Sequence, residues 1–171
     1  MTLPQTIPLM PAEQYAVLRA REESDIPEVW DLLDTVKDPE IPVVSIWELG
    51  ILRAVEMQGD EVVVTITPTY SGCPAMDAIT QDVERALEEA GYTRRKVVMQ
   101  WAPAWSTSWI APAAKESLRQ FGIAPPGTDQ LVCPHCGSTH VEQVSEFGST
   151  ACKALYQCGD CLEPFDLFKN L

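Results

Sequence analysis

The sequence predicts an α+β protein in which a helix, a β-hairpin, a helix, a strand and a helix are followed by a small C-terminal zinc ribbon. Three observations carry this expectation. Val62-Val63-Val64-Thr65-Ile66 is a β-branched run that follows Gly59-Asp60, a pair suited to a tight hairpin turn. Met76, Ile79, Val83 and Leu87 recur at helical spacing. Cys133-Pro134-His135-Cys136 and Cys158-Gly159-Asp160-Cys161 are two C-x-x-C pairs separated by 21 residues (137 to 157).

Taken in order, residues 1–24 hold three early prolines and a short Ala/Arg/Glu stretch, and read as a loosely held, flexible N-terminal arm. Ser24 or Asp25 can cap a helix with Pro27 in its first turn, whose apolar face is Ile26, Val29, Leu32, Leu33 and Val36. Asp38-Pro39-Glu40-Ile41-Pro42 ends it, because Pro39 disfavours a helical residue before it. Strands are expected over 50–58 and 61–67. After the loop 68–72 a helix runs from Pro74 to Ala90, with Ala90 on its apolar face and Gly91 as its stop. A third strand (96–101), a Trp/Pro-rich loop and a helix from Pro112 to Phe121 complete a domain spanning 25–123. Ala124-Pro125-Pro126-Gly127 opens a linker (124–130), and the ribbon occupies 131–171.

Composition excludes several classes of function. The chain has 171 residues, of which 46% are hydrophobic and 22% charged, the balance of a folded protein. No apolar run reaches membrane length, and the N-terminus lacks the pattern of an export signal, so a cytoplasmic location is expected and no membrane partner. The net charge is −13 with no basic stripe, which repels a phosphate backbone and argues against nucleic acid. Basic protein surfaces are better partners, and a hairpin edge on an acidic protein admits a homodimer. There is no Ser/His/Asp arrangement, phosphate-cradling loop or dinucleotide fingerprint, so the chain is not expected to be an enzyme.

In a reducing compartment the paired C-x-x-C spacing favours metal over disulfides. Cys133, Cys136, Cys158 and Cys161 together make a closed tetrahedral set, which suits a structural zinc ion that stabilises the ribbon and does not catalyse. His135 and His140 are expected in solvent, since four sulfurs already suffice. Two disulfides, a redox C-x-x-C and iron in the same cage are the competing readings.

Cys73 lies where a strand gives way to a helix, a position whose amides and dipole favour a thiolate. It is read either as a nucleophile or soft-metal ligand, or as a small buried residue. Asp38 and Glu40, in their Pro-flanked loop, are candidate oxygen ligands near Cys73, although by themselves they favour a solvated role. Cys152 stands off the C-x-x-C register, as a buried ribbon residue or as a further thiol facing Cys73. Trp101, Trp105 and Trp109 serve either domain packing or an aromatic partner surface.

Asp38-Pro39-Glu40-Ile41-Pro42, Ser45-Ile46-Trp47-Glu48-Leu49-Gly50 and Thr69-Tyr70-Ser71-Gly72-Cys73-Pro74 resemble the iron–sulfur cluster assembly domain family that includes SufT and the cytosolic cluster-targeting factors. With the ribbon and its Ser145-to-Tyr156 stretch, the chain is similar to the PaaD (PaaJ) family, the D component of the bacterial phenylacetyl-CoA epoxidase gene set. The resemblance implies a small α+β domain in which Cys73 is the reactive position in metal-centre assembly. It implies a client that is a di-iron, oxygen-activating epoxidase fed by a flavin and iron–sulfur reductase, with epoxidase subunits or that reductase as partners. The implied role is accessory: maturation or repair of an iron or iron–sulfur centre in phenylacetate degradation, with iron or a cluster held transiently at Cys73. The sequence departs from the family at Ser108, where a carboxylate is expected, so that position is given no ligand role. The rival roles are a scaffold that binds the epoxidase without handling metal, and a thiol redox protein using Cys73 and Cys152.

Overall fold

Two sheets divide the chain, with Cys73 beside the first and the other five cysteines in the half that holds the second. The computed structural model describes residues 10–171. The first half contains helices α1 (Ala12–Glu22) and α2 (Pro27–Leu33), strands β1 (Leu52–Gln58) and β2 (Glu61–Ile66), helix α3 (Ala75–Glu89), strand β3 (Arg95–Met99) and helix α4 (Pro112–Gln120). The second contains strands β4 (Ile123–Ala124), β5 (Val141–Ser145), β6 (Lys153–Cys158) and β7 (Pro164–Phe168). This is the expected α+β domain followed by a ribbon.

In the first sheet the order is β1-β2-β3, with β1 antiparallel and β3 parallel to β2. Gly59 and Asp60 make the hairpin turn, and α3 is the crossover that a parallel β2–β3 pair requires. Met76, Ile79, Val83 and Leu87 of α3 are buried as the spacing predicts, while Ala90 is exposed. It is the C-cap residue, past the last turn that faces the sheet. Helix α2 stops at Leu33, a turn earlier than its apolar pattern, and its wholly buried ring is Trp30. No side chain caps it; the Ser24 hydroxyl instead accepts the Ile26 N–H at 3.1 Å.

Ser45-Ile46-Trp47-Glu48 is a single tight turn held by reciprocal bonds. The Glu48 carboxylate accepts the Ser45 N–H at 2.8 Å, and the Ser45 hydroxyl accepts the Glu48 N–H at 3.0 Å. Gly50 follows with φ +72°, and a Cβ there would meet the Trp109 Cβ at 2.7 Å, so only glycine fits. The Trp105 indole donates to the Leu49 carbonyl at 2.9 Å.

Two stretches differ from what the sequence predicts. Residues 1–9 of the expected arm lie outside the described residues, but 12–22 form α1. It docks through one buried apolar residue, Val17, and through polar contacts that apolar periodicity does not register. Arg53 donates to the Gln14 side chain at 2.9 Å and to the Glu13 carbonyl at 3.1 Å, and its guanidinium lies 3.9 Å from the Trp109 ring centroid. The expected linker also begins inside the ribbon sheet, whose order is β4-β7-β6-β5. Ile123 and Ala124, leaving α4 directly, pair with Asp166 and Leu167 of β7.

The halves share one core. Cys152 and Phe168 of the ribbon pack into the cluster built by α2, β1, β2, α3 and α4, and Trp105 tilts against Phe168 at 6.0 Å. A second cluster of Ala124, Cys133, Cys158 and Phe165 lies under the knuckles. No helix among the described residues is long and apolar enough to cross a membrane.

Candidate functional site

The sulfurs of Cys133, Cys136, Cys158 and Cys161 all lie within 4.8 Å of one another and can hold a metal ion. A tetrahedral ion with metal–sulfur bonds of about 2.3 Å needs sulfurs about 3.8 Å apart. Cys133 to Cys161 measures 3.7 Å and Cys136 to Cys158 measures 3.6 Å, so both pairs match such an ion. Both knuckles turn through left-handed backbone directly after the second cysteine, at Gly137 (φ +77°) and Leu162 (φ +66°). The amides of Cys161 and Asp160 donate to Cys158 and lower its thiol pKa to about 6, whereas burial and the neighbouring sulfurs push Cys161 up to about 12. His135 and His140 are exposed, and the His140 ring meets Asp160 at 3.2 Å.

The second constellation lies at the seam between the halves, and it gathers the remaining candidates. Loop 38–42, between α2 and the 45–48 turn, brings Asp38 and Glu40. The β2–α3 loop brings Tyr70 and Cys73, with Gly72 at φ +84° turning the chain into the helix. The ribbon brings Cys152 and Lys153 at the start of β6.

Burial and charge define this seam. Asp38 is 7% exposed, and its Oδ1 accepts the N–H groups of Glu40 at 2.8 Å and Ile41 at 2.9 Å. Its role is to fix the loop. Burial still raises its pKa above the usual carboxylate range, against those two bonds and the nearby Lys153. Glu40 is pushed up by burial and then by Asp38. Cys152 is buried, with the Thr150 hydroxyl 3.0 Å from its sulfur. Burial raises its thiol, and the charges of Glu40 and Cys73 act in the same direction.

For Cys73 the position is as expected and the chemistry differs. The Ala75 N–H and the Thr69 hydroxyl, the latter at 3.7 Å, do favour a thiolate. Burial outweighs both, and Glu40 and Asp38 add to it, so the pKa is raised and the resting group is a thiol. The helix end alone does not activate it.

Sequence reasoning missed Lys153 and Tyr70. Lys153 is 4% exposed, the seam's buried cation, and its Nζ lies 3.6 Å from Asp166. Its signal was a lysine opening the apolar strand Lys153-Ala154-Leu155, diagonal to an aspartate on β7. Tyr70 lies beside both thiols; burial first, then Cys73 and Cys152, push its hydroxyl up. A cleft of about 540 Å³ opens at this seam, bordered by Glu40, Lys153, Asp166, Phe121 and Phe147. Trp105 and Trp109 are buried in domain packing, Trp101 is 63% exposed, and Ser108 is exposed and bonded to Ser106.

Comparison with known proteins matches both halves. The family described as iron–sulfur cluster assembly protein matches residues 27–98, and the PaaD zinc beta ribbon domain matches residues 124–169. A protein of Escherichia coli (strain K12), named as a putative 1,2-phenylacetyl-CoA epoxidase subunit, is 47% identical over 150 residues, covering 83% of this chain and 91% of its own. An Fe-S protein maturation auxiliary factor of Porphyromonas gingivalis is 36% identical over 94 residues, 54% of this chain and 86% of its own. A crystal structure of a domain of unknown function, DUF59, from Bacillus anthracis shares 30% identity. Its TM-score is 0.50, and the match covers 54% of this chain and 89% of that one.

Proposed function

The chain belongs to the PaaD family of 1,2-phenylacetyl-CoA epoxidase subunits, and on that footing we propose that it is a non-catalytic accessory protein that helps assemble or repair an iron or iron–sulfur centre of the epoxidase system through Cys73. The observation that carries this reading is the convergence of Cys73, Cys152, Asp38 and Glu40 at one seam. Loop bonding accounts for the burial of Asp38 and core packing for that of Cys152, but neither sets Glu40 and Cys73 beside them, and burying a carboxylate costs stability. The relatedness of the first half to a protein named as a maturation auxiliary factor supports the same role.

In this reading the ribbon ion is zinc, held by Cys133, Cys136, Cys158 and Cys161, and it supplies structural stability only. Those residues keep β6 in register, so that Cys152 and Lys153 stay against the first domain. Cys73 takes up iron or a cluster as cargo, with Glu40 as the free carboxylate, while Asp38 holds the loop. The partners are epoxidase subunits or the reductase.

The test is Cys73→Ser in cells that depend on phenylacetate. The expected outcome is epoxidase depleted of iron, with activity reduced by about tenfold or more, while the variant keeps its ribbon metal. Iron-replete, fully active epoxidase in that strain would remove the reading. Exposed Val144, Phe147 and Leu162 on the ribbon favour a second reading, a scaffold that docks without handling metal. It predicts that Cys73→Ser is silent and that substitutions on this face are not.

A further inference from the structure

We infer that the cargo taken at the seam is a single ferrous ion and not an assembled iron–sulfur cluster; this rests on the reading of Cys73 given above. Donors are too few for a cluster. The chain has six cysteines, and four of them already close on one another in the ribbon. Only Cys73 and Cys152 remain. Clusters are held by about four cysteine thiolates, so two fall short of what one chain would need.

Room beside the two thiols is short as well, since neither of them lines the seam cleft. Cys152 is 6% exposed and belongs to the same packed core as Phe168, with Cys73 half-buried against it. Interiors packed at such density admit one ion where donors shift slightly, but not a multi-atom cage.

Charge points the same way. Asp38 is committed to the amides of Glu40 and Ile41 and leaves Glu40 as the free carboxylate. Lys153 borders the same cleft, buried, with no hydrogen bond from its Nζ among the described residues and Asp166 at 3.6 Å. A ferrous ion, two thiolates and the Glu40 carboxylate sum to one negative charge, which faces the Lys153 ammonium, itself shared with Asp166. In the binding step two thiols become thiolates, two sulfur–iron bonds form, and two protons pass to water. No electron is transferred.

The same geometry makes the ion exchangeable. Among the described residues the ribbon sulfurs are the donors that lie within 4.8 Å as a group of three or more. The seam donors do not form such a group, so capture must draw them together at a cost in ordering. A preformed cage retains its ion; a cage assembled at capture releases it.

The experiment uses the full chain with its ribbon metal in place, without oxygen. One arm adds ferrous iron alone; the other adds ferrous iron, sulfide and a thiol reductant. Iron, zinc and acid-labile sulfide are counted for wild type, Cys73→Ser, Cys152→Ser, Cys152→Ala and Glu40→Gln. Wild type should take one ferrous ion per chain in both arms and retain no sulfide. Affinity should fall by at least about tenfold in Cys73→Ser and in both Cys152 variants, with zinc content unchanged. The two Cys152 variants separate loss of a donor from loss of packing, since serine keeps the size and alanine keeps the apolar character. Sulfide retained with iron at Cys73 would overturn the single ion and leave the accessory role standing. Binding that survives Cys152→Ser and Glu40→Gln would overturn the donor set. Absence of iron in both arms would overturn the inference; with a silent Cys73→Ser in cells, the accessory reading falls too.

Discussion

Cys73 is subject to opposing influences of different reach. The Ala75 amide and the Thr69 hydroxyl act on the sulfur alone, whereas burial and two neighbouring carboxylates act on any negative charge in the seam. The second group wins, so the folded pKa lies above the unfolded one. Stability from the neutral thiol is therefore present at low pH and is lost as pH rises through the raised folded value. Alkylation follows the thiolate. Cys73 in the folded, metal-free protein should react more slowly at neutral pH than in the denatured chain, because burial keeps the thiol protonated. The folded rate should keep climbing with pH beyond the range where the denatured thiol has levelled off. A plateau at neutral pH, read by mass spectrometry, would contradict this. For individual residues the sequence indicates which ones matter better than it indicates their state. Asp38, Glu40, Cys73 and Cys152 are legible as types in unusual positions. Their protonation depends on burial contributed by residues far along the chain, which no local pattern carries.

Helices α3 and α4 are legible in the sequence because each buries one face on a helical period, and β2 because its β-branched run follows a Gly-Asp turn. Helix α1 is not, because it buries only Val17 and Gln14 and is docked largely by two arginines. Arg53 bonds Gln14 and the Glu13 carbonyl from a buried position and stacks on Trp109. On the other side Arg21 pairs with Asp31 at 2.8 Å and lies 4.5 Å from the Trp47 ring centroid. Truncating a charged donor that leaves a buried acceptor unpaired costs about 1–3 kcal/mol. Arg53→Leu should therefore release α1 while the rest of the domain holds. Hydrogen exchange would show protection lost over 12–22 and kept over 61–66; equal loss in both would mean that Arg53 supports the sheet itself. Long-range contact also explains Ser45-to-Gly50, a conspicuous motif in the sequence. It builds a closed turn whose exit, at a left-handed glycine, is the seat of Trp109.

Across the whole molecule, the ribbon and the first domain act as one body with a shared interior. Trp105 against Phe168 contributes about 0.5–1.5 kcal/mol beyond its buried area. The Thr107 N–H donates to the Leu171 carbonyl at 3.2 Å, tying the loop to the last residue. Pro125 and Pro126 signal a break in the chain, which by sequence alone reads as a boundary between bodies. The local pattern does not carry the pairing of β4, before the break, with β7, after it. That two-residue strand, with Cys152 and Phe168 in the shared core, holds the halves together across the join at 125–130. A protease cut between Gly127 and Gln130 should leave two fragments that coelute under native conditions and part only in denaturant; a ribbon fragment eluting alone would refute this. In that light the protein is a two-piece complex whose pieces are threaded on one backbone. Its halves are suited to split-fragment complementation, in which the seam exists only when both are present.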